Sequence, residues 1–169
     1  MQEEKTTQLI LRAKKGDSAA FEQLIRMFHL DMYKIASAIL MNDEDAADAM
    51  QDAIFACWEN LESLKNLKYF KTWLIRILIN KCYRIFNSRI PQTSFEEIPE
   101  SGKEDSYNLE FKEALSKLSD KYRLVAVLYY CEGYRTKEIA MMMNLSDAAV
   151  RTRLMRSREI LRNYYEEEK

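Results

Sequence analysis

Tyr134 to Arg162 reads YRTKEIAMMMNLSDAAVRTRLMRSREILR. Thr136 is placed to N-cap a first helix, with Glu138 in its first turn. Asn144 suits a left-handed C-terminal position. Leu145 then points inward. Ser146 can cap a second helix that carries Asp147 just inside its start. Val150, Leu154 and Leu161 recur at helical spacing and face inward, against Ile139, Ala140 and Met143 of the first helix. Arg151, Thr152, Met155 and Arg156 form a different surface, extended by Arg153 and Arg158. A short capped helix, a turn of about three residues and an Arg-rich second helix make a helix-turn-helix. The stretch holds seven basic and three acidic residues, a balance suited to phosphate contact. An ordinary helical hairpin with a solvated basic face would share the pattern.

The rest of the chain reads as all-α. Apolar residues are 47% of 169, enough for folded cores, and three Gly and two Pro leave few tight turns. The formal net charge of −1 hides segregation. Residues 42–62 carry seven acids and no base, residues 65–89 seven bases and no acid, and residues 94–113 seven acids against two bases. The blocks cancel in the sum but not in space. Cys57, Cys82 and Cys131 lie far apart in apolar helical contexts, which predicts buried free thiols in a reducing compartment. The polar opening MQEEKTTQ has no signal-peptide core, and no apolar run approaches the roughly 20 residues that cross a bilayer. A soluble, cytoplasmic protein is expected.

Taken in order, Thr7–Lys15 predicts a short helix and Gly16-Asp17 a break. Ser18 then caps a helix to about Met41, whose apolar positions include Phe21, Leu24, Ile25, Phe28, Met32, Ile35 and Ile39. His29 has no second ligand nearby and reads as a packing or surface residue. Asp43–Leu61 is the next helix. Its buried stripe is Ala46, Ala49, Met50, Ala53, Ile54, Cys57 and Trp58, and Asp45, Asp48, Gln51 and Asp52 lie mostly elsewhere. Asp48 and Asp52, one turn apart, repel slightly, so local stability does not explain them; a basic or amide-rich partner would. Residues 63–71, SLKNLKYFK, form a loop or poor helix. A strong helix follows over Thr72–Asn87, with Trp73, Leu74, Ile77, Leu78, Cys82, Ile85 and Phe86 inward and Arg76, Lys81, Arg84 and Arg89 wet. Aromatics among cations suit a single nucleic-acid strand, because bases stack and phosphates pair. Trp73 reads as core, whereas Asn66, Lys68, Tyr69, Phe70 and Lys71 read as contacts.

Residues 91–107 hold both prolines, a glycine and several acids, the composition of a mobile acidic tether. Two small helical domains result, 7–90 and 108–165, the second containing the helix-turn-helix, and the tether lets them adopt different separations. In the second domain Leu109–Leu118 opens, and Ser119-Asp120 caps a helix through Glu132 with Leu124, Val125, Val127, Leu128 and Cys131 apolar. Gly133 ends it. With no phosphate-binding Gly-rich loop, no Ser/His/Asp set and no metal-ligand cluster, the chain is expected to be no enzyme, with neither cofactor nor metal.

Three stretches in order resemble the extracytoplasmic-function class of sigma-70 RNA polymerase factors. AFEQLIRMFHLDMYKIA with DEDAADAMQDAIFACW is similar to that family's regions 2.1 and 2.2. FKTWLIRILINKCYRIF is similar to regions 2.3 and 2.4, and the stretch from ALSKLSDKYRLVAVLYYCEGY through the helix-turn-helix to region 4. Ala148-Ala149 stands where the family commonly has Gly-Thr, Arg84 where an acid is common and Asn87 where a base is common.

The resemblance implies a factor that binds core RNA polymerase and directs promoter-specific initiation. Asp45, Asp48, Gln51 and Asp52 would dock on the β′ clamp coiled coil, and apolar residues of the second domain's first helices would meet the β flap. Asn66, Lys68, Tyr69, Phe70, Lys71, Arg76, Asn80, Lys81 and Arg84 would hold the −10 element as a displaced strand with a flipped base. Arg135, Thr136, Lys137, Arg151, Thr152, Arg153, Met155, Arg156 and Arg158 would serve the −35 duplex. An anti-sigma factor is an implied partner, and no small-molecule substrate is. Two other classes share parts of this pattern. A dimeric helix-turn-helix regulator binding an operator directly would need an apolar dimerisation helix and leaves the first domain idle. A helical protein–protein adaptor leaves the basic block unexplained.

Overall fold

A computed structural model describes residues 1–88 and 106–167. The described residues are helical with no strand: α1 (Gln2–Lys14), α2 (Ser18–Leu40), α3 (Asp43–Asn60), α4 (Phe70–Ser88), α5 (Ser106–Ser116), α6 (Asp120–Ala126), α7 (Thr136–Met143) and α8 (Asp147–Glu167). Arg89 and most of the expected tether lie outside the described residues; 106 and 107 already belong to α5.

Local chemistry sets the helix ends. α1 starts five residues before Thr7. The Thr6 and Thr7 hydroxyls bond the Gln2 and Glu3 carbonyls, and Glu3 and Glu4 favour a helix N-terminus. None of this shows in apolar spacing. Gly16 takes φ +94, which the break requires. The cap of α2 is Asp17, not Ser18: its carboxylate accepts from the Ala20 amide at 3.1 Å. That bond first, and then the Arg12 guanidinium 2.7 Å away, hold the Asp17 carboxyl below the usual range. α2 ends at left-handed Met41, and Asn42 at once caps α3 by accepting from the Asp45 amide at 2.9 Å.

The core of α1 to α4 forms where Leu24, Met32, Ile35 and Ile39 of α2 meet Ala46, Ala49, Ala53 and Cys57 of α3, all fully or almost fully enclosed. Small residues on α3 let the helices approach closely. α4 buries Leu74, Ile75, Leu78, Ile79 and Cys82. Trp73, Ile77, Ile85 and Phe86, expected inside, are only half-buried, and Ile75 and Ile79 take the deeper places. The reason is tertiary: α4 packs on α2 and α3 and also on α7, so its buried arc is wider than one stripe.

The two helix groups therefore touch. Leu124, Val125, Leu128, Tyr134, Ile139, Ala140, Met142, Val150 and Leu154 join the core of α1 to α4 in one continuous cluster. A smaller cluster of Leu115, Leu118, Ala126 and Val127 includes Ala38 of α2 at its edge. In this structure the two groups are packed together, a contact that local sequence does not encode. α6 continues into a π-helical turn, Val127–Cys131. That turn shifts the register, so Tyr129, Tyr130 and Cys131 face outward. Cys131 is thus exposed, against expectation, while Cys57 and Cys82 are buried, with burial pushing each thiol up to about 12. No described helix is long and apolar enough to cross a membrane.

Candidate nucleic-acid interface

The helix-turn-helix forms over α7 and α8. Thr136 is the first helical residue and not the cap; that place falls to Arg135, whose amide donates to Glu138 Oε2 at 2.8 Å. Thr136 is drawn instead toward Asp147. Its hydroxyl first, and then Arg151, hold the Asp147 carboxyl below the usual range. Asn144 is left-handed (φ 55, ψ 47), and the following Leu145 amide donates to Ala140 O at 2.9 Å. Ser146 Oγ accepts from the Ala149 amide at 3.1 Å, capping α8.

α8 lies on Val150, Leu154 and the buried Ser157, whose hydroxyl sits 3.0 Å from Tyr122 O of α6. Arg151, Thr152, Met155 and Arg156 are brought together on the opposite, exposed face. Met155 is 52% exposed, an apolar side chain held out beside two guanidinium groups. Arg151 pairs with Asp147 while remaining largely in solvent. Arg156 lies exposed beside Tyr122. Arg135 and Lys137 are exposed at the start of α7. Two residues leave this group. Arg153 is half-buried and turned to the Tyr83 phenol of α4. Arg158 stacks its guanidinium 6.0 Å over the Tyr130 ring and donates to its hydroxyl.

On the first group, residues 61–71 are ordered by two 3₁₀ turns, Leu61–Ser63 and Leu67–Tyr69. Asn66 Oδ1 accepts from the Lys68 amide at 3.1 Å, and Lys14 donates to Leu64 O at 2.6 Å, pinning the loop to α1. Asn66, Lys68 and Tyr69 are exposed, Tyr69 by 61%. Phe70 is not available as a contact: it is 1% exposed, with its ring 5.7 Å from Phe28 and 6.2 Å from Trp73. α4 begins at Phe70, so its side chain takes the first inward position of that helix. Arg76, Asn80 and Arg84 follow at intervals of four on the wet side, and Lys81 is half-buried. Lys71 is engaged, 2.8 Å from Asp31 and 5.8 Å over the Tyr134 ring.

On α3, Asp48, Gln51 and Asp52 are exposed and Asp45 is half-buried. Sequence spacing missed what lies beside them. An open groove of about 320 Å³ runs between α2 and α3, lined by His29, Tyr33, Ala47, Met50, Gln51 and Ile54. Phe55 is 63% and Leu30 62% exposed. The acids therefore border apolar surface, the composition of a docking site with a charged rim. A large apolar residue off the buried stripe, as Phe55 is, was the available signal. Among the described residues no cluster of His, Cys, Asp or Glu could hold a metal.

Residues 24–89 match the family model of Sigma-70 region 2, and residues 108–161 that of Sigma-70, region 4. An acidic-faced helix beside a cationic one, followed by a helix-turn-helix, thus defines a sigma-70 protein carrying both regions. Across 173 residues the chain is 30% identical to the ECF RNA polymerase sigma factor SigW of Bacillus subtilis, spanning 90% of this chain and 92% of that one. It is 28% identical over 186 residues to the ECF RNA polymerase sigma-E factor of Escherichia coli K12, spanning 96% of each. In three dimensions it is similar to CnrH, solved with the cytosolic domain of CnrY (TM-score 0.76, 26% identity, 98% of this chain and 99% of that one). RpoE of Bartonella quintana, solved with the anti-sigma factor NepR, shares the fold at TM-score 0.71 and 22% identity, over 88% of this chain and 98% of that one. The chain belongs to the extracytoplasmic-function family of sigma-70 factors and is an alternative sigma factor that directs transcription initiation. Correspondence along both modules accounts for the first one, which an operator-binding dimer leaves without a role.

Proposed function

We propose that the chain divides promoter recognition between two faces and core attachment onto a third. Residues 7–90 form the module that docks on polymerase and holds the −10 strand, and residues 108–165 the module that reads the −35 duplex. Asp45, Asp48, Gln51 and Asp52, with the neighbouring groove, take the β′ clamp coiled coil. Their negative rim complements a cationic helix, and the exposed apolar surface supplies contact area. Tyr69, with Asn66 and Lys68, stacks and steers a displaced strand along Arg76, Asn80 and Arg84. Lys81 lies beside that path, and Lys71 joins it once released from Tyr134. α8 enters the major groove, with Arg151, Thr152, Met155 and Arg156 at base edges and phosphates. A bidentate Arg–guanine pair there is worth about 1–3 kcal/mol of discrimination. Arg135, Thr136, Lys137 and Arg158 serve the flanking backbone. The observation that carries this reading is the sorting of exposed charge: acids on α3, cations on α4 and α8.

The factor performs no chemistry itself; the polymerase does. Its partners are core RNA polymerase, including the β flap, and promoter DNA. An anti-sigma factor is a further partner, supported by the likeness to CnrH and RpoE, each solved with its own binding protein. The cytoplasm is the compartment where these meet. Because neither module presents a large basic surface, tight promoter binding requires the holoenzyme. Run-off transcription from a promoter library with purified core polymerase tests the reading. Promoter-specific transcripts that depend on this chain are expected. Their absence, or specific promoter binding by the isolated chain at physiological salt, would overturn it.

A further inference from the structure

Arg123 of α6 is a charged residue only 6% exposed. Its guanidinium donates to Leu118 O at 3.1 Å within its own module and pairs with Asp120. Two further bonds cross to the first module: it donates to Ala38 O, and to Ile39 O at 2.6 Å. These carbonyls belong to the last turn of α2, which holds no basic residue of its own. Helix-terminal carbonyls lack intrahelical donors and carry the negative end of the macrodipole, so a cation there is favoured twice. A second contact lies across the same boundary. The Lys71 ammonium, 2.8 Å from Asp31 of its own module, also sits 5.8 Å over the ring of Tyr134, which is itself 8% exposed.

We infer that the chain closes upon itself through Arg123, which latches the duplex-reading module onto the C-terminal carbonyls of α2, and that closure withholds Lys71 from the displaced strand. A salt link inside one module would stabilise that module alone. This one satisfies α2 with a side chain some 85 residues later in the sequence and acts with the apolar cluster the modules share, so its breakage leaves a buried boundary short of its polar partner and shifts the chain toward separation while each helix stays intact. Lys71 cannot lie over Tyr134 and serve a phosphate along α4 at once. The masking half of the inference rests on the −10 role given to Lys71 above; the latch itself does not.

Small-angle scattering on the full chain measures closure. A closed chain of this length has a radius of gyration of about 15 Å. Arg123→Met should raise it by about 3 Å or more, with far-UV helicity unchanged, as the modules part to the reach of the tether. Ala38→Arg removes nothing from α6 and places a bulky cation at the docking point, and it should open the chain equally. A wild-type chain already extended, or both variants as compact as wild type, would overturn the latch. The second arm titrates each opened variant with a short T/A-rich single-stranded DNA. Opening uncovers Lys71 while leaving Asp31 beside it, and exchange of that carboxylate for a phosphate should tighten binding and steepen the slope of log affinity against log salt by up to about 0.7. Opening without that change overturns the masking of Lys71 and leaves the latch standing. Closed variants overturn the latch whatever the factor does in transcription.

Discussion

Tyr69 and Phe70 are neighbours with opposite surroundings. Phe70 fills the space between Phe28 and Trp73, and Tyr69 projects its ring into solvent. Phe70→Ala should lower stability by about 3–5 kcal/mol, through lost transfer energy and the cavity left behind, visible as a lower denaturation midpoint. Tyr69→Ala should change stability by no more than about 0.5 kcal/mol and should impair open-complex formation with core polymerase. Wild-type promoter opening by Tyr69→Ala would remove Tyr69 from the strand site. The thiols separate in the same way. Burial raises Cys57 and Cys82 to about 12, so both stay protonated and enclosed at mildly alkaline pH. Cys131 is exposed. Brief alkylation of the native chain should give one adduct, on Cys131, with the other two appearing only after denaturation. Rapid native labelling of Cys57 or Cys82 would show that α3 or α4 opens readily.

At the scale of the element, helix starts are set by single side chains. Asn42 caps α3, the helix that carries the acidic dock, and Asn42→Ala should cost about 1 kcal/mol in chemical denaturation. Asp17 caps α2 and pairs with Arg12, both of which depress its carboxyl. Its folded-state value lies below its unfolded one. The stability it lends is therefore present above the usual carboxylate range and is lost as pH falls through the depressed value. Asp17→Asn should flatten that acid-side fall when midpoints are compared across pH; an unchanged profile would assign the fall to other carboxylates. The helix-turn-helix was legible because its signals are local: Asn144 and Ser146 flank the turn, and Val150 and Leu154 follow the 3.6-residue period. The caps at Asp17 and Arg135 were misplaced by one residue, since two adjacent polar residues compete and only geometry decides. The inward face of α4 was not legible. Ile75 and Ile79 are enclosed because α7 lies near α4, and contact across that sequence distance leaves no periodic trace. Phe70 fell on the wrong side for a related reason: an aromatic at a helix start looks the same in sequence whether it enters the core or leaves it.

The molecule keeps opposite charges on separate surfaces, exposed acids on α3 and exposed cations on α4 and α8. A formal charge of −1 is the sum of blocks that would each attract a different partner. The acids of α3 border an apolar groove. Arg76 and Arg84 of α4 follow one exposed helical line, and Arg151 and Arg156 crown α8, whose other side is core. Separation of faces means separable functions, which transcription assays with paired substitutions measure directly. Asp52→Lys reverses a charge on the proposed dock, and Arg151→Ala removes a proposed reader from α8; both positions are exposed, so neither should unfold the chain. Core-polymerase affinity should fall at least about tenfold for Asp52→Lys, the scale of a lost charge complementarity, and stay at the wild-type value for Arg151→Ala. Holoenzyme carrying Arg151→Ala should in turn lose use of the −35 element by about tenfold, within the range of one bidentate base contact. Equal loss of core affinity in both variants would contradict the division of labour.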